Sequence, residues 1–231
     1  YGAVTDIAPD IRLTLANAGH ILGSSITHLH FGNGDHNLVY TGDFKFGRSL
    51  ALENAFWNFQ RVETLIVEST FGGKEDIFQP RDETNQRLAM LINSTISQGG
   101  SLLFPVPILG ISQELLLILG RYASMGNTLS AKILIEKSVD EASSIYESYL
   151  EYLSKEIKQE LDQYLGNLFR PPNSQIVESK RLRKGPHIII APSSMLTHGP
   201  SVYYLSQMRD EPDSAVVFTS YTLPNTPGRN L

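Results

Sequence analysis

The stretch AGHILGSSITHLHFGNGDHNLVYTGDF, residues 18–44, contains two β-strand patterns joined by a short glycine-rich turn. Residues 25–31 and 37–41 are rich in β-branched and apolar residues, which favour strands. The joint between them, residues 32–35, has the sequence GNGD, and these residue types tolerate the positive φ angles of tight turns. The pattern therefore predicts a β-hairpin around which the first part of the chain folds.

Two residues with metal-binding side chains, His20 and Asp43, lie at the two ends of this hairpin, close to glycines. Strand ends can bring such side chains together, but a capping histidine and a turn aspartate explain them as well. Glu68 is a third candidate, because it ends the apolar run VETLIVE at residues 62–68. This run predicts a buried strand, where a carboxylate is costly unless it is paired or functional. A turn role after the strand is the alternative.

The more conspicuous histidines of the hairpin are not predicted to bind a metal. His28 and His30 followed by Asp35 and His36 suggest a dinuclear zinc site, since His-x-His with a nearby Asp-His is typical of one. In this chain four residues separate the two pairs instead of one. The histidines are therefore predicted to lie on the polar face of the hairpin without binding a metal.

The composition limits the classes of function. With 231 residues, 41% of them hydrophobic, the chain can bury a sizeable core. Without cysteine it has no disulfide or thiolate metal site, which leaves histidine and carboxylates as ligands. A net charge of −5 argues against non-specific nucleic-acid binding, although a local groove can still be basic. The densest basic cluster, KRLRK at residues 180–184, is interpreted as a solvated loop before a buried strand. We find neither a leader nor a membrane-spanning run and expect a cytoplasmic protein.

Beyond Gly73 helical and apolar strand patterns alternate, which predicts a parallel sheet covered on both faces. The first 70 or so residues indicate an antiparallel sheet instead, so two folds are expected to meet near Gly72. Helices are predicted over about 80–98, 112–122 and within 138–165, and strands over 101–106, 131–136, 187–193 and 215–221. In the 138–165 stretch the residues expected to face inward are Ile145, Tyr149, Tyr152 and Leu153.

Two loops are candidates for binding phosphate. PVPILGISQE at 105–114 and APSSMLTHGPS at 191–201 both run from a strand through a loop into a helix. Backbone N–H groups at such helix starts bind anions. The arrangement is common to α/β sheets, so neither loop is specific by itself.

The whole chain resembles, segment by segment and in order, the metallo-β-lactamase nucleases with a β-CASP insertion, and most closely the archaeal homologues of the cleavage and polyadenylation specificity factor endonuclease. The resemblance is carried by YGAVTDIAPDIRLTLANAGHILGSS, YTGDFKFGR, VETLIVESTFGGKEDIFQPRDE, QELLLIL, EYLSKEIKQEL and APSSMLTHGPSVYYL. It implies an α/β protein. Residues 1–72 would be part of an αββα metallo-β-lactamase domain, and residues 73–231 a β-CASP domain with a parallel, Rossmann-like sheet.

The resemblance also implies roles for individual residues. His20 matches a zinc ligand, Asp43 a carboxylate that bridges two Zn²⁺ ions, and Glu68 an acidic residue that orients a later histidine acting as general acid. The implied reaction is hydrolysis of single-stranded RNA, endonucleolytic and also 5′-3′ exonucleolytic. The loop residues expected to contact RNA or its phosphates are Ser194, Thr197, His198 and Gln113.

The chain also departs from the family pattern. Ile111 stands where the family usually has arginine, and Ser194 and His198 stand where it usually has glycine, which would weaken RNA binding. The His-x-His-x-Asp-His motif is expected before Tyr1 and two histidine motifs after Leu231, so the chain is predicted to be an inactive middle segment. The alternative is a non-catalytic paralogue that binds RNA or dimerises, with itself or a paralogue. A generic nucleotide-binding domain is disfavoured, since no glycine-rich fingerprint follows the first strand of the α/β part.

Overall fold

The computed structural model describes residues 1–32, 34–47, 49–125, 130–161 and 168–231. The chain divides into two compact units, residues 1–79 with 151–158, and residues 80–150 with 159–231. The assignment of residues 1–72 and 73–231 to the two predicted domains stays a prediction. Each unit is described separately.

The first unit contains a five-stranded sheet in the order β1-β2-β3-β4-β5. Neighbouring strands are antiparallel except β4 and β5, which are parallel. The predicted hairpin is confirmed, because β3 and β4 pair with Phe31 opposite His36; Asn33 in its turn lies outside the described residues. The strands are β1 Val4–Ala8, β2 Ile11–Asn17, β3 Ser25–Phe31, β4 His36–Tyr40 and β5 Thr64–Ile66.

The core of this unit lies on one face of the sheet, where Ala16, Ala18, Ile26, Val39 and Ala55 are buried together. The prediction of a buried strand over 62–68 is wrong. Only β5 forms there, and it is an edge strand paired with β4 alone. Its apolar side chains are largely exposed, with Leu65 at 57% and Ile66 at 48%. An apolar run thus does not distinguish an edge strand from a central one.

The second unit contains a parallel sheet in the order β10-β6-β9-β7-β8, which confirms the predicted parallel sheet. Every residue of β6 and β9 is buried, as their continuous apolar sequences require. Strand β8 was not predicted, and β10 is much shorter than the run 215–221. The strands are β6 Leu102–Pro105, β7 Lys132–Glu136, β8 Ser174–Val177, β9 His187–Ala191 and β10 Ala215–Val216.

The helices are α1 Arg81–Ser97, α2 Ile111–Ser124, α3 Lys137–Ser148, α4 Lys155–Glu160, α5 Pro200–Met208 and α6 Pro227–Asn230, with a 3₁₀ turn at Leu150–Tyr152. Most of α4 and of the 3₁₀ turn belongs to the first unit. The predicted inward face of the 138–165 stretch is largely wrong, since Ile145, Tyr149 and Tyr152 are exposed and only Leu153 is buried. Residues 162–165 lie outside the described part. Across the described residues no helix is long and apolar enough to cross a membrane; the cytoplasmic location stays a prediction.

Candidate functional site

Strand direction brings His20, Asp43 and Glu68 to one edge of the first sheet. Strands β2 and β4 run the same way because each is antiparallel to β3, and β5 is parallel to β4. Each of the three residues follows the carboxyl end of one of these strands. His20 Nε2 lies 3.9 Å from Asp43 Oδ2, and both side chains are open to solvent. The predicted convergence of His20 and Asp43 is therefore present.

The turn that carries His20 is fixed by short-range contacts. Gly19 has φ +66°, and a Cβ there would lie 2.7 Å from Ala55 N and Glu53 O, so the backbone passes where only glycine fits. Asn17 Oδ1 accepts a hydrogen bond from Gly19 N at 3.0 Å. Ser24 Oγ accepts one from His20 N at 3.2 Å. These contacts hold the histidine in place at the end of β2.

Backbone hydrogen bonds join the segment that carries Asp43 to those on either side. Lys45 N donates to Ala18 O at 2.9 Å, which ties this segment to the turn of His20. On the other side Thr41 N donates to Ile66 O at 3.0 Å, and Glu68 N donates to Thr41 Oγ1 at 3.3 Å. The three candidate residues thus belong to one hydrogen-bonded edge.

Glu68 is held as a carboxylate by hydrogen bonds. Its Oε2 accepts from Thr70 N at 2.7 Å. The pKa of Glu68 is lowered, first by this backbone N–H, then by the Thr70 side chain, and also by Phe44 and His20. The apolar run predicted a buried Glu68, whereas this residue is partly exposed. Its ionised form is stabilised by these donors, and this contact also fits the turn role.

The donor set fits zinc in kind but not in number. An imidazole nitrogen and a carboxylate oxygen are ligands that Zn²⁺ takes, usually four to a site. Within the described residues, no group of three or more histidine, aspartate or glutamate side chains is arranged to hold a metal ion. His20 and Asp43 can therefore provide two positions of a larger site.

Two of the three hairpin histidines have side-chain hydrogen-bond partners within the protein. His30 lies 3.2 Å from Thr14 Oγ1 and 2.8 Å from Asn37 Oδ1, and His36 Nε2 lies 3.0 Å from Thr64 Oγ1. His28 was expected on a polar face but is buried. The pKa of His28 is lowered mainly by this burial and also by the neighbouring His30. The hydrogen bonds account for His30 and His36 without a metal, whereas the buried His28 Nε2 has no hydrogen-bond partner among the described residues.

In the second unit the two predicted phosphate loops lie side by side. They follow the neighbouring strands β6 and β9, in which Pro105 pairs with Ala191, and Val106 N donates to Ala191 O at 3.0 Å. Carboxyl ends of parallel strands are the usual place for ligands in α/β sheets. The loops 106–110 and 192–199 thus begin side by side at this edge.

Gln113, predicted to contact RNA, is fully buried. Its Oε1 accepts from Gly110 N at 2.8 Å, and its Nε2 donates to Ile108 O at 3.3 Å and to Ser143 Oγ at 3.1 Å. Every polar atom of the side chain is engaged inside the protein. A direct RNA contact stays a prediction, and the geometry favours a role in shaping the loop before α2.

The other predicted RNA contacts lie in the loop before α5, where Thr197 and His198 are exposed and Ser194 is partly exposed. Thr197 Oγ1 lies 2.9 Å from His198 Nδ1 and 3.3 Å from Ser193 Oγ. The loop is closed by Ser201, whose hydroxyl donates to Ser193 O at 2.8 Å. Hydroxyl and imidazole groups therefore surround the amino end of α5, an arrangement that can hold a phosphate.

Comparison with known proteins identifies the family. The sequence matches the family model of the Beta-Casp domain over residues 112–231, just over half of the chain. It is 45% identical over 237 residues to transcription termination factor FttA of Thermococcus kodakarensis, covering 100% of this chain and 36% of the relative. The proteins of the same name from Cenarchaeum symbiosum and Lokiarchaeum are 43% and 41% identical, each with 100% of this chain and 37% of the relative covered. The chain thus spans little more than a third of the length of these relatives. It belongs to the β-CASP family, in the group of archaeal proteins that resemble the cleavage and polyadenylation specificity factor.

Proposed function

We propose that this chain is a segment of a zinc-dependent RNA-processing nuclease that hydrolyses phosphodiester bonds of single-stranded RNA, endonucleolytically and also from the 5′ end. The observation that carries the proposal is the meeting of His20, Asp43 and Glu68 at one sheet edge, with 3.9 Å between imidazole and carboxylate. The family assignment supports the same chemistry.

Each of the three residues has a distinct part in this proposal. His20 and Asp43 would hold zinc, which when bound supplies an activated water and offsets negative charge on the phosphoryl oxygens. Glu68 remains ionised because backbone N–H groups stabilise its carboxylate. An ionised carboxylate beside the site can orient a histidine that donates a proton to the leaving oxygen. The turn of Gly19 keeps His20 in position for this.

The second unit supplies the contacts to RNA. Thr197, His198 and Ser194 offer hydrogen-bond donors beside the amino end of α5, where the helix dipole also favours a phosphate. RNA is favoured over DNA by the names of the relatives, since a factor that terminates transcription acts on a complex that contains a nascent RNA chain.

The test is made on the full-length protein that carries this sequence. His20→Ala and Asp43→Ala should each lower the bound zinc and reduce cleavage of an end-labelled single-stranded RNA by at least about a hundredfold. His36→Ala is the matched control, because His36 is exposed and Thr64 is the one hydrogen-bond partner of its side chain among the described residues. Undiminished zinc and cleavage in the His20 and Asp43 variants would refute the proposal.

A non-catalytic paralogue is the second candidate. It is favoured by Ile111, an apolar residue at the first position of α2 where the family pattern usually has arginine. Such a subunit would bind RNA or dimerise, with itself or with an active paralogue. RNA binding without cleavage by the zinc-loaded full-length protein would establish it, whereas cleavage would exclude it.

A further inference from the structure

A basic segment crosses the second sheet. Residues 180–184, KRLRK, which we call the basic strap, lie between β8 and β9. Because β8 and β9 run in the same direction within one sheet, the connection must return from the carboxyl end of β8 to the amino end of β9. The cations of the strap therefore lie along this return path and not in the loops at the carboxyl edge.

The backbone of the strap is fixed by hydrogen bonds at Lys180 and Leu182, and that of the preceding residue at Ser179. Ser179 N donates to the buried carboxylate of Glu136 at 2.8 Å, which also accepts from Tyr204 OH at 2.7 Å. Lys180 N donates to Tyr204 OH at 3.1 Å. Leu182 N donates to Gln207 Oε1 at 2.9 Å, and the Leu182 side chain packs against the core. The interpretation as a solvated loop is thus incomplete, since exposed side chains stand on an anchored backbone.

A cationic cavity of about 190 Å³ lies beneath the strap. Lys180, Arg181 and Arg183 line it from the strap, and Lys132 lines it from β7. His187, opposite Lys132 in the sheet, also lines it; this side chain is buried, and its Nδ1 has no hydrogen-bond partner among the described residues. A buried polar atom without a partner is uncommon in folded proteins.

Within the part of the chain that the structure describes, no ion pair neutralises the positive charge around this cavity. Among the described residues, none of its four cations forms an ion pair, although the exposed cations Lys137 and Arg209 do. Burial lowers the pKa of His187, and Glu211 and Lys132 act on it in opposite directions. In a protein of net charge −5, four unpaired cations around one cavity are a local concentration that an anion would offset.

We propose that the basic strap and its cavity form a second binding site for the phosphate backbone of single-stranded RNA, separate from the loops before α2 and α5. Arginine binds phosphate bidentately, and two of the strap's cations are arginines. The cavity is lined by cations, and its described lining has no phenylalanine, tyrosine or tryptophan on which a base could stack, which suits contact with the charged backbone of a strand rather than with its bases. The inference rests on the proposed function only in taking RNA as the ligand.

The experiment measures equilibrium binding of a fluorescein-labelled 20-nucleotide oligouridylate to the full-length protein, in chelator so that no cleavage occurs, over a range of salt concentrations. Arg181→Gln with Arg183→Gln should weaken binding about tenfold at 0.1 M salt and reduce the slope of log K against log salt by about 1.4, since each phosphate contact to a single strand contributes about 0.7. Arg87→Gln with Lys155→Gln removes two exposed cations elsewhere and should leave the slope unchanged.

A further variant keeps the charge: Arg181→Lys with Arg183→Lys should retain most of the slope while losing part of the affinity. If the glutamine variant matches its control in affinity and slope, the strap does not bind RNA and the proposal is refuted. This outcome includes the case in which the strap binds an acidic protein instead. If the unchanged protein binds no oligouridylate at all, both this site and the proposed function fail. If the protein binds RNA through the strap but shows no nuclease activity, only the proposed hydrolysis is refuted and the strap site stands.

Discussion

Gly19 is the residue at which the candidate metal site depends most on backbone conformation. Gly19→Ala should destabilise the protein by about 3 kcal/mol, because it adds the cost of a positive φ to a collision with the backbone of Glu53 and Ala55. Gly23→Ala is the control, since its φ is +84° but nothing lies within 4 Å of the added Cβ. It should cost only about 1 kcal/mol. Urea unfolding of both variants measures the difference, and equal losses would contradict the close approach.

Glu63 provides a prediction about pH. Hydrogen bonds from the Asn37 side chain and from Arg61 and the Asn37 backbone lower the pKa of Glu63 to about 2. A depressed pKa contributes stability above the unfolded value near 4.5, and that contribution is lost as the pH falls towards 2. Carboxyl ¹³C chemical shifts in an acid titration should report this pKa. Asn37→Ala should move it back towards 4.5, and an unchanged value would show that Arg61 and the backbone N–H of residue 37 hold it without the Asn37 side chain.

At the same scale, Glu68 shows how far residue patterns can be trusted. An acid after an apolar run marked it as a candidate, and the structure does place it beside His20. The reason differs from the one that the sequence suggested. Glu68 is tolerated because it is partly exposed and receives N–H donors, and neither solvent exposure nor those donors can be inferred from the run itself.

Among the elements, the loop before α2 is held by two buried side chains, Gln113 and Ser112, and Ser112 Oγ donates to Ile108 O at 2.7 Å. Gln113→Ala should destabilise the second unit by about 3 kcal/mol, since it leaves Gly110 N without its acceptor and opens a cavity in a fully buried position. Gln86→Ala, on the exposed side of α1, should change stability by less than about 0.5 kcal/mol. Chemical unfolding compares the two, and a small effect at Gln113 would mean that the loop does not depend on it.

Helix α3 shows that helical periodicity alone does not identify which face of a helix is buried. The buried positions are Val139, Ala142, Ser143 and Tyr146, a regular helical stripe that includes a serine. Large apolar residues one position away, such as Ile145, suggested a different face. Ser143 is buried because its hydroxyl accepts from Gln113 and donates to Val139 O, partners that are known only once the helices have packed.

At the scale of the whole molecule, the described residues bring together only two side chains of the candidate zinc site, His20 and Asp43. Because His20 and Asp43 are only two ligands, the 231-residue chain alone should bind zinc weakly and should not cleave RNA. Metal analysis after dialysis and a cleavage assay with added Zn²⁺ test this. Zinc-dependent cleavage by the isolated chain, abolished by Asp43→Ala, would contradict it.

The amino-acid sequence by itself determined the β3–β4 hairpin, the alternation that gives a parallel sheet, and membership of the β-CASP family. These features depend on residue type and short-range periodicity, which a single sequence displays. Only the tertiary structure decided that β2, β4 and β5 run in one direction and so gather His20, Asp43 and Glu68 at one edge. It also decided that β5 is an exposed edge and that the basic strap is anchored over a cavity. Strand order and direction arise from contacts between residues far apart in the chain, and local patterns do not encode them.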